Sequence, residues 1–447
     1  MRIPLLVLCC LFFLGVSQAQ DTSRRATTRA LDNRIENSLF GEAHTGFALY
    51  DLEAQRPVYG YNANRYFVPA SNTKLLTFLV ANRLLEAAAP AVVYQAFEDR
   101  IELWGTGYPL LLHPAFVGYD TLLPWLATRD LPLVLNFPNG DIPPRYGAGW
   151  SWDDFNYGYV FERSLLPVYG NRLYLEYREA GDTGREALFG SPAEVVDNLV
   201  MDAAQERTIS RVEGSNRFTV NANFYRPYNF PLERALSVDS ATTVRYLSSA
   251  LPGSSIRSGD RPRPPLDALR TISTPLPDTL YRKLLQDSDN YLAEQLILLA
   301  ATSRYGRPDE EAFFEWATDT LFQEMGLGEI SFRDGSGLSR YNLVKPEQLV
   351  QVIAALDREV GRERLRSLLP TGGINGTLKQ RFDNQPEPYV WAKTGSLSGV
   401  ICISGLLRTR SGRWLAFSFM HNNVMGSSRE YYATMEDILG WVYENLR

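Results

Sequence analysis

The chain has 447 residues, 45% hydrophobic and 21% charged, with 45 Lys and Arg against 51 Asp and Glu for a formal net charge of −6. That is enough apolar material for two or three domains with real cores. The acidic balance, with no Lys/Arg block, excludes wrapping of a polyanion, so no nucleic-acid partner is expected. In chain order, the first element is an apolar stretch from Leu5 to Val16 followed by Ser17-Gln18-Ala19, small residues spaced as signal peptidase requires. Residues 1–19 therefore read as a cleaved secretory signal, because about a dozen apolar residues fall short of the roughly 20 that a spanning helix needs. The mature chain is then expected to lack a transmembrane segment and to reside in the periplasm or another extracytoplasmic space. Cys9 and Cys10 leave with the signal and only Cys402 remains, so no intramolecular disulfide is expected.

Residues 45–60 read as extended, and Leu75-Leu76, Phe78-Leu79-Val80 and Leu84 predict a buried helix starting near Ser71. From about 95 to 270 the texture turns to Pro, Gly and aromatic residues in short strand-like pieces such as Leu133–Leu135, Arg172–Tyr177 and Phe218–Asn221. Helical pattern returns over Leu280–Ala301, Glu310–Glu324, Pro346–Leu356 and Met435–Asn445. Near the end, Tyr389–Lys393, Gly399–Arg408 and Arg413–Met420 read as three strands of an antiparallel sheet. The expected class is mixed α/β, with a β-rich inserted domain over 96–270 interrupting a domain made of 20–95 and 271–447.

Three short motifs carry the chemistry: Ser71-Asn72-Thr73-Lys74, Ser288-Asp289-Asn290 and Lys393-Thr394-Gly395. At the start of a helix, positions i and i+3 share a face, so Lys74 can reach the Ser71 hydroxyl, and the helix N-terminus favours negative charge at Ser71. A serine hydroxyl needs a base, and none of His44, His113 and His421 sits in a recognisable nucleophile setting. Lysine serves as a base when burial or a neighbouring cation lowers its pKa, and Lys393 could help do that. The chain holds five lysines against forty arginines, which makes lysine at 74 and 393 informative, since arginine does not deprotonate.

All three motifs in this order are the signature of penicillin-binding proteins and class A β-lactamases. The first two lie 217 residues apart and the last two 105, which requires a large insertion after the nucleophile's helix. In this the chain resembles the low-molecular-mass class C penicillin-binding proteins, the D-alanyl-D-alanine carboxypeptidase/endopeptidase family. Trp150-Ser151-Trp152-Asp153-Asp154, Ser288–Glu294, Asp334–Arg340, Leu369-Pro370 and Gly376-Thr377-Leu378 look like this family too, whereas Gly107-Tyr108-Pro109 stands where the family often has Gly-Asp-Pro. The Asp334–Arg340 run reads first as a glycine-rich turn with no catalytic task and is left out of the catalytic set.

The resemblance implies a penicillin-binding/β-lactamase-like transpeptidase fold, an antiparallel sheet flanked by helices. It implies that Ser71 attacks the carbonyl of the penultimate D-alanine of a peptidoglycan stem peptide while Lys74 takes its proton, and that water hydrolyses the acyl-enzyme. Backbone N–H groups of Ser71 and Ser396 would form the oxyanion hole. Ser288 would relay a proton to the leaving amine, Asn290 would hold the substrate amide, Lys393 and Thr394 would bind the terminal carboxylate, and Gly395 would let substrate lie against the strand. Asp154 is a candidate for gripping the amino group of the cell-wall diamino acid. β-Lactams are expected as covalent inhibitors, and no metal or organic cofactor is implied. A β-lactamase or esterase on the same fold, or a non-catalytic binding module, are the competing readings. The first lacks the Glu-x-x-x-Asn segment of class A enzymes between Asn290 and Lys393, and the second leaves the intact trio unused.

Overall fold

The structure, a computed structural model, describes residues 25–85, 88–180, 185–224 and 231–446. The expected signal segment, with Cys9 and Cys10, lies outside these residues. The chain divides into two units, one drawn from Met1–Val68, Val344–Ala355 and Pro370–Arg447, the other from Pro69–Leu343 and Leu356–Leu369.

The first unit is built on a five-stranded sheet in the order Val390–Leu397, Val400–Arg408, Trp414–Asn422, His44–Asp51, Arg56–Tyr61, with every neighbour antiparallel. Alternate residues along these strands (Phe47 and Leu49, Ile401 and Ile403, Leu415, Phe417 and Phe419) face one way, as a period of two requires. They share a core with Leu31 and Ile35 of helix 25–36 and with Met435, Leu439 and Val442 of the helix Ser428–Asn445. The opposite face carries Ser404, whose hydroxyl donates to Ser418 at 2.8 Å, and fully buried Cys402. Lys393 lies opposite Ser404 in the register.

The late antiparallel sheet is where the sequence predicts it, with different bounds. The strand expected to stop at Lys393 runs on to Leu397, because the turn is made by Ser398-Gly399, with Gly399 at φ +76° where a side chain would be strained. The last helix starts at Ser428, capped by Ser427, which accepts from the Arg429 N–H.

In the second unit, the helices Thr73–Leu85 and Asn290–Tyr305 are buried nearly all round, as their apolar composition demands. The single helix expected over 280–301 is two, Asp278–Gln286 and Asn290–Tyr305. Ser288 breaks the run with a left-handed backbone at φ +62°, and Asp289 restarts it as N-cap by accepting from the Leu292 N–H at 3.0 Å. The helix expected over 310–324 is Glu310–Trp316, a wider π turn at 317–321, and Phe322–Glu324.

Residues 89–274 hold three further sheets among the described residues. A five-stranded one runs Ile256–Gly259, Leu133–Asn136, Ile101–Gly105, Ala89–Ala96, Arg270–Thr274, and mixes parallel and antiparallel pairs. Two three-stranded sheets are formed by Leu232–Ala235, Arg172–Ala180 and Arg185–Ser191, and by Val200–Asp202, Phe218–Asn221 and Ile209–Arg211. The fold is the mixed α/β class expected, antiparallel and mixed sheets flanked by helices.

Candidate active site

Ser71 sits in a single tight turn, Ala70–Asn72, just ahead of the α-helix that starts at Thr73, so the helix begins two residues later than predicted. Ala70 is held at φ +47°, and its carbonyl accepts from the Thr73 hydroxyl at 2.8 Å. Gly337 lies against this turn at φ +84°; a Cβ there would overlap the Ala70 carbonyl oxygen, so only glycine fits. The Thr77 hydroxyl donates to the Gly335 carbonyl at 2.6 Å and ties the same loop one turn further along.

Lys74 is fully buried, and its Nζ makes three contacts: Ser71 Oγ at 3.0 Å, Asn290 Oδ1 at 2.5 Å and the Ser336 carbonyl at 2.6 Å. Burial drives its pKa down to about 8, against the opposing pull of Asp334, Glu294 and Asp289. An ammonium on Nζ donates to Ser71, and the neutral amine that follows loss of a proton can accept the serine proton at the same distance. Asn290 is fixed from its other end, where Nδ2 donates to the Tyr159 carbonyl at 2.7 Å. Ser288 is half-buried in the break that precedes this helix.

Asp289, between them, is gripped by fully buried Arg172, whose Nη2 lies 3.0 and 3.2 Å from its two carboxylate oxygens. Burial alone would raise Asp289, but Arg172 and then Lys283 hold it below its ordinary value. Arg172 also lies over the rings of Phe161 and Tyr291, at 4.4 and 5.2 Å. Gly107-Tyr108-Pro109, the departure from the family's pattern, packs on the same helix. The Gly107 carbonyl accepts from Gln295 at 3.0 Å, and that of Pro109 from the Tyr291 hydroxyl at 2.9 Å.

The Asp334–Arg340 run is more than a turn. Buried Asp334 accepts from Gly337 N–H (2.8 Å), Ser339 N–H (2.6 Å), Asn342 Nδ2 (2.6 Å) and Trp150 Nε1 (2.8 Å), and so fixes the loop that presents the Ser336 carbonyl to Lys74. Sequence reasoning set this run aside; the signal available was its likeness to a family segment. It missed Arg172 altogether, and nothing in a strand-like Arg-Leu-Tyr-Leu marks it.

Asp154 lies half-buried on the turn Trp152–Asn156 and is hydrogen-bonded to Tyr159, whose hydroxyl burial and then Asp154 push up to about 12. The structure therefore links Asp154 through one residue to the carbonyl that holds Asn290. His113 is buried, its Nδ1 accepting from the Ala115 N–H, and burial keeps its pKa well below the ordinary histidine value.

In the first unit, Lys393 is also fully buried and donates to the Thr394 carbonyl at 2.7 Å. The Thr394 hydroxyl donates to that of Thr377 at 2.8 Å, which explains why Gly376-Thr377-Leu378 travels with this strand. Ser396 is exposed, and its side chain hydrogen-bonds the Tyr432 hydroxyl. His421 is buried and pushed down to about 3, its Nδ1 at 2.9 Å from the Thr45 hydroxyl. Among the described residues no cluster of His, Cys, Asp or Glu could hold a metal ion, and no helix is long and apolar enough to cross a membrane.

A serine opening a buried helix, paired with a desolvated lysine one turn on and with the asparagine of a second motif, defines a serine acyl-transferring enzyme of the penicillin-binding class. Sequence comparison makes this specific: the D-Ala-D-Ala carboxypeptidase 3 (S13) family matches residues 27–90 and 143–442, and the chain belongs to that family. It is a serine-type D-Ala-D-Ala carboxypeptidase/endopeptidase acting on peptidoglycan stem peptides.

Among similar proteins, D-alanyl-D-alanine carboxypeptidase DacB of Haemophilus influenzae is 24% identical over 442 residues, covering 91% of this chain and 90% of the relative. The D-alanyl-D-alanine carboxypeptidase of Actinomadura sp. (strain R39) is 26% identical over 480 residues, covering 95% and 86%. The crystal structure of penicillin binding protein 4 (dacB) from Haemophilus influenzae superposes with a TM-score of 0.71 at 22% identity, over 93% of this chain and 99% of the other, and so shares its fold.

Proposed function

We propose that Ser71 is the nucleophile, Lys74 the base that takes its proton, and Ser288 and Asn290 the groups that return a proton to the leaving amine and hold the substrate amide. The observation that carries this reading is the contact of a buried, pKa-lowered Lys74 with both Ser71 Oγ and Asn290 Oδ1. In the same reading Lys393 and Thr394 bind the stem peptide's terminal carboxylate, Gly395 lets the peptide lie along the strand, and the N–H groups of Ser71 and Ser396 stabilise the oxyanion. Attack on the penultimate D-alanine carbonyl expels the terminal D-alanine, or the cross-linked amine in the endopeptidase reaction, and water then releases the acyl group. A β-lactam forms the same ester with Ser71 and deacylates slowly. Asp154, hydrogen-bonded to Tyr159, would in this reading select for an amine on the stem peptide. A protein with these substrates works outside the cytoplasm, in keeping with removal of residues 1–19 on export.

The test is intact mass after incubation with benzylpenicillin, with the adduct mapped by peptide digestion. One stable adduct on Ser71, absent from Ser71→Ala, is the expected result. No adduct with penicillin left intact would sink the reading, and rapid destruction of penicillin would replace it with a β-lactamase.

A further inference from the structure

We propose that Glu294 is a positioning residue that sets the protonation state of Lys74, acting through the Ser336 peptide and through the charge of its own buried carboxyl. The inference rests on Lys74 being the base. Glu294 follows Asn290 by four residues on the Asn290–Tyr305 helix, so the two side chains lie on one face. Its Oε1 accepts from the Ser336 N–H at 2.7 Å, and the carbonyl of that same residue accepts from Lys74 Nζ at 2.6 Å. The carboxyl thus fixes one end of the residue whose other end holds the lysine.

The second carboxyl oxygen is what sets Glu294 apart from Asp334. Oε2 is buried and has no hydrogen-bond partner among the described residues. The nearest cation, Arg163 Nη1, stands 3.7 Å away, beyond hydrogen-bond reach, and lies 2.5 Å from Glu310 instead. Other Arg163 nitrogens donate to the carbonyls of Pro144 and Tyr146. Nearby Asp334, by contrast, is saturated with donors. A buried carboxylate with an unfilled oxygen is costly, and taking up a proton removes that cost.

The charged groups that act most strongly on the pair come from four elements. Asp334 faces Glu294 from the loop, Arg163 from the β-rich region and Glu310 from the Glu310–Trp316 helix; Lys74 is faced by Asp334, Glu294 and Asp289. Burial and then Asp334 push Glu294 up to about 8, against Arg163 and the Ser336 hydrogen bond. With one proton between Lys74 and Glu294, two arrangements compete. Ammonium with carboxylate leaves no base, whereas amine with carboxylic acid leaves Lys74 ready to accept the Ser71 proton. Both hold the same number of protons; whatever share takes the first keeps the proton on Lys74, so the base appears only at the higher pH at which the carboxylate-paired ammonium ionises.

Glu294→Gln keeps an acceptor for the Ser336 N–H and removes the anionic arrangement. The measurement is the rate of Ser71 acylation by benzylpenicillin against pH. In Glu294→Gln the acid limb moves to lower pH by about one unit, making acylation about tenfold faster on that limb than in the wild type. Glu294→Ala, which also strips the acceptor, acylates at least about tenfold more slowly than Glu294→Gln at every pH. A Glu294→Gln limb that stays at the wild-type position, with or without a uniform loss of rate, overturns the proposal.

A reciprocal measurement does not require either variant to fold. With carboxyl-13C glutamate in the wild type and in Lys74→Met, one glutamate midpoint rises when the lysine is removed. No difference between the two sets of midpoints overturns it as well. If Lys74→Met acylates at the wild-type rate, the assignment of Lys74 as base falls and the role of Glu294 with it. If only the Glu294 results fail, that assignment stands.

Discussion

At the scale of single residues, the base proposed at Lys74 depends on how burial has changed a lysine. A side chain that is a cation at neutral pH in water has its pKa brought down to about 8, next to a hydroxyl whose proton it can take. Lys74→Arg and Lys74→Met should both lower Ser71 acylation by roughly 10²–10⁴-fold, the arginine because it cannot deprotonate and the methionine because it has no base at all. In the wild type, acylation should rise with pH and level off above about pH 8, read from stopped-flow or timed mass spectra. The pairing of Ser71 with Lys74 was legible from spacing alone, since i and i+3 meet on a helix. The third partner of Nζ was not. A backbone carbonyl at Ser336 leaves no chemical trace in a sequence, and its holders Asp334 and Glu294 come 40 residues apart, from a loop and a helix.

At the scale of elements, the second motif depends on a break between two helices, and the break depends on Arg172. Asp289 caps the helix that carries Asn290, and its charge is matched by an arginine that is itself fully buried. Arg172→Met leaves that carboxylate with only Lys283, 3.8 Å away, as a cation and should cost about 3 kcal/mol in urea unfolding at neutral pH, with slower acylation as the cap loosens. The sign with pH follows from the depressed pKa of Asp289. Its contribution is fully present above the ordinary aspartate range and is lost as pH falls through the folded value, so the gap between wild type and Arg172→Met should narrow in acid. Periodicity predicted a continuous helix here because the apolar pattern runs across both pieces; only the left-handed Ser288 and the capping aspartate, which are local chemistry, end one and start the other. The strand of Lys393 was cut short for the converse reason. Gly395 and Ser396 carry no strong strand preference, yet full pairing with Val400–Ile403 extends the ladder to Leu397.

At the scale of the whole molecule, Cys402 is the sole cysteine of the described residues, fully buried, its thiol pushed up to about 12 by burial. Iodoacetamide should therefore leave the native protein unlabelled and modify Cys402 only as fast as the chain opens, so labelling followed by mass measures unfolding directly; fast labelling of native protein would contradict the packing. The class of fold and its late sheet could be read from composition and strand pattern. Within residues 89–274 the strands Leu133–Asn136, Arg172–Ala180 and Phe218–Asn221 fall on segments the sequence marks as strand-like, but their pairing could not be anticipated, because short strands with mixed partners are specified by contacts far along the chain. One feature of that region bears on how such a chain varies. The strands Ala89–Ala96 and Arg270–Thr274 are hydrogen-bonded neighbours, with Val93 opposite Thr271 and Tyr94 opposite Arg270. Everything from 97 to 269 is thus enclosed between two points that already touch, like text between brackets. Such a segment can grow, shrink or be exchanged over evolutionary time without stretching the frame that holds Ser71, so long as something still reaches Asn290 and Asp289 as Tyr159 and Arg172 now do.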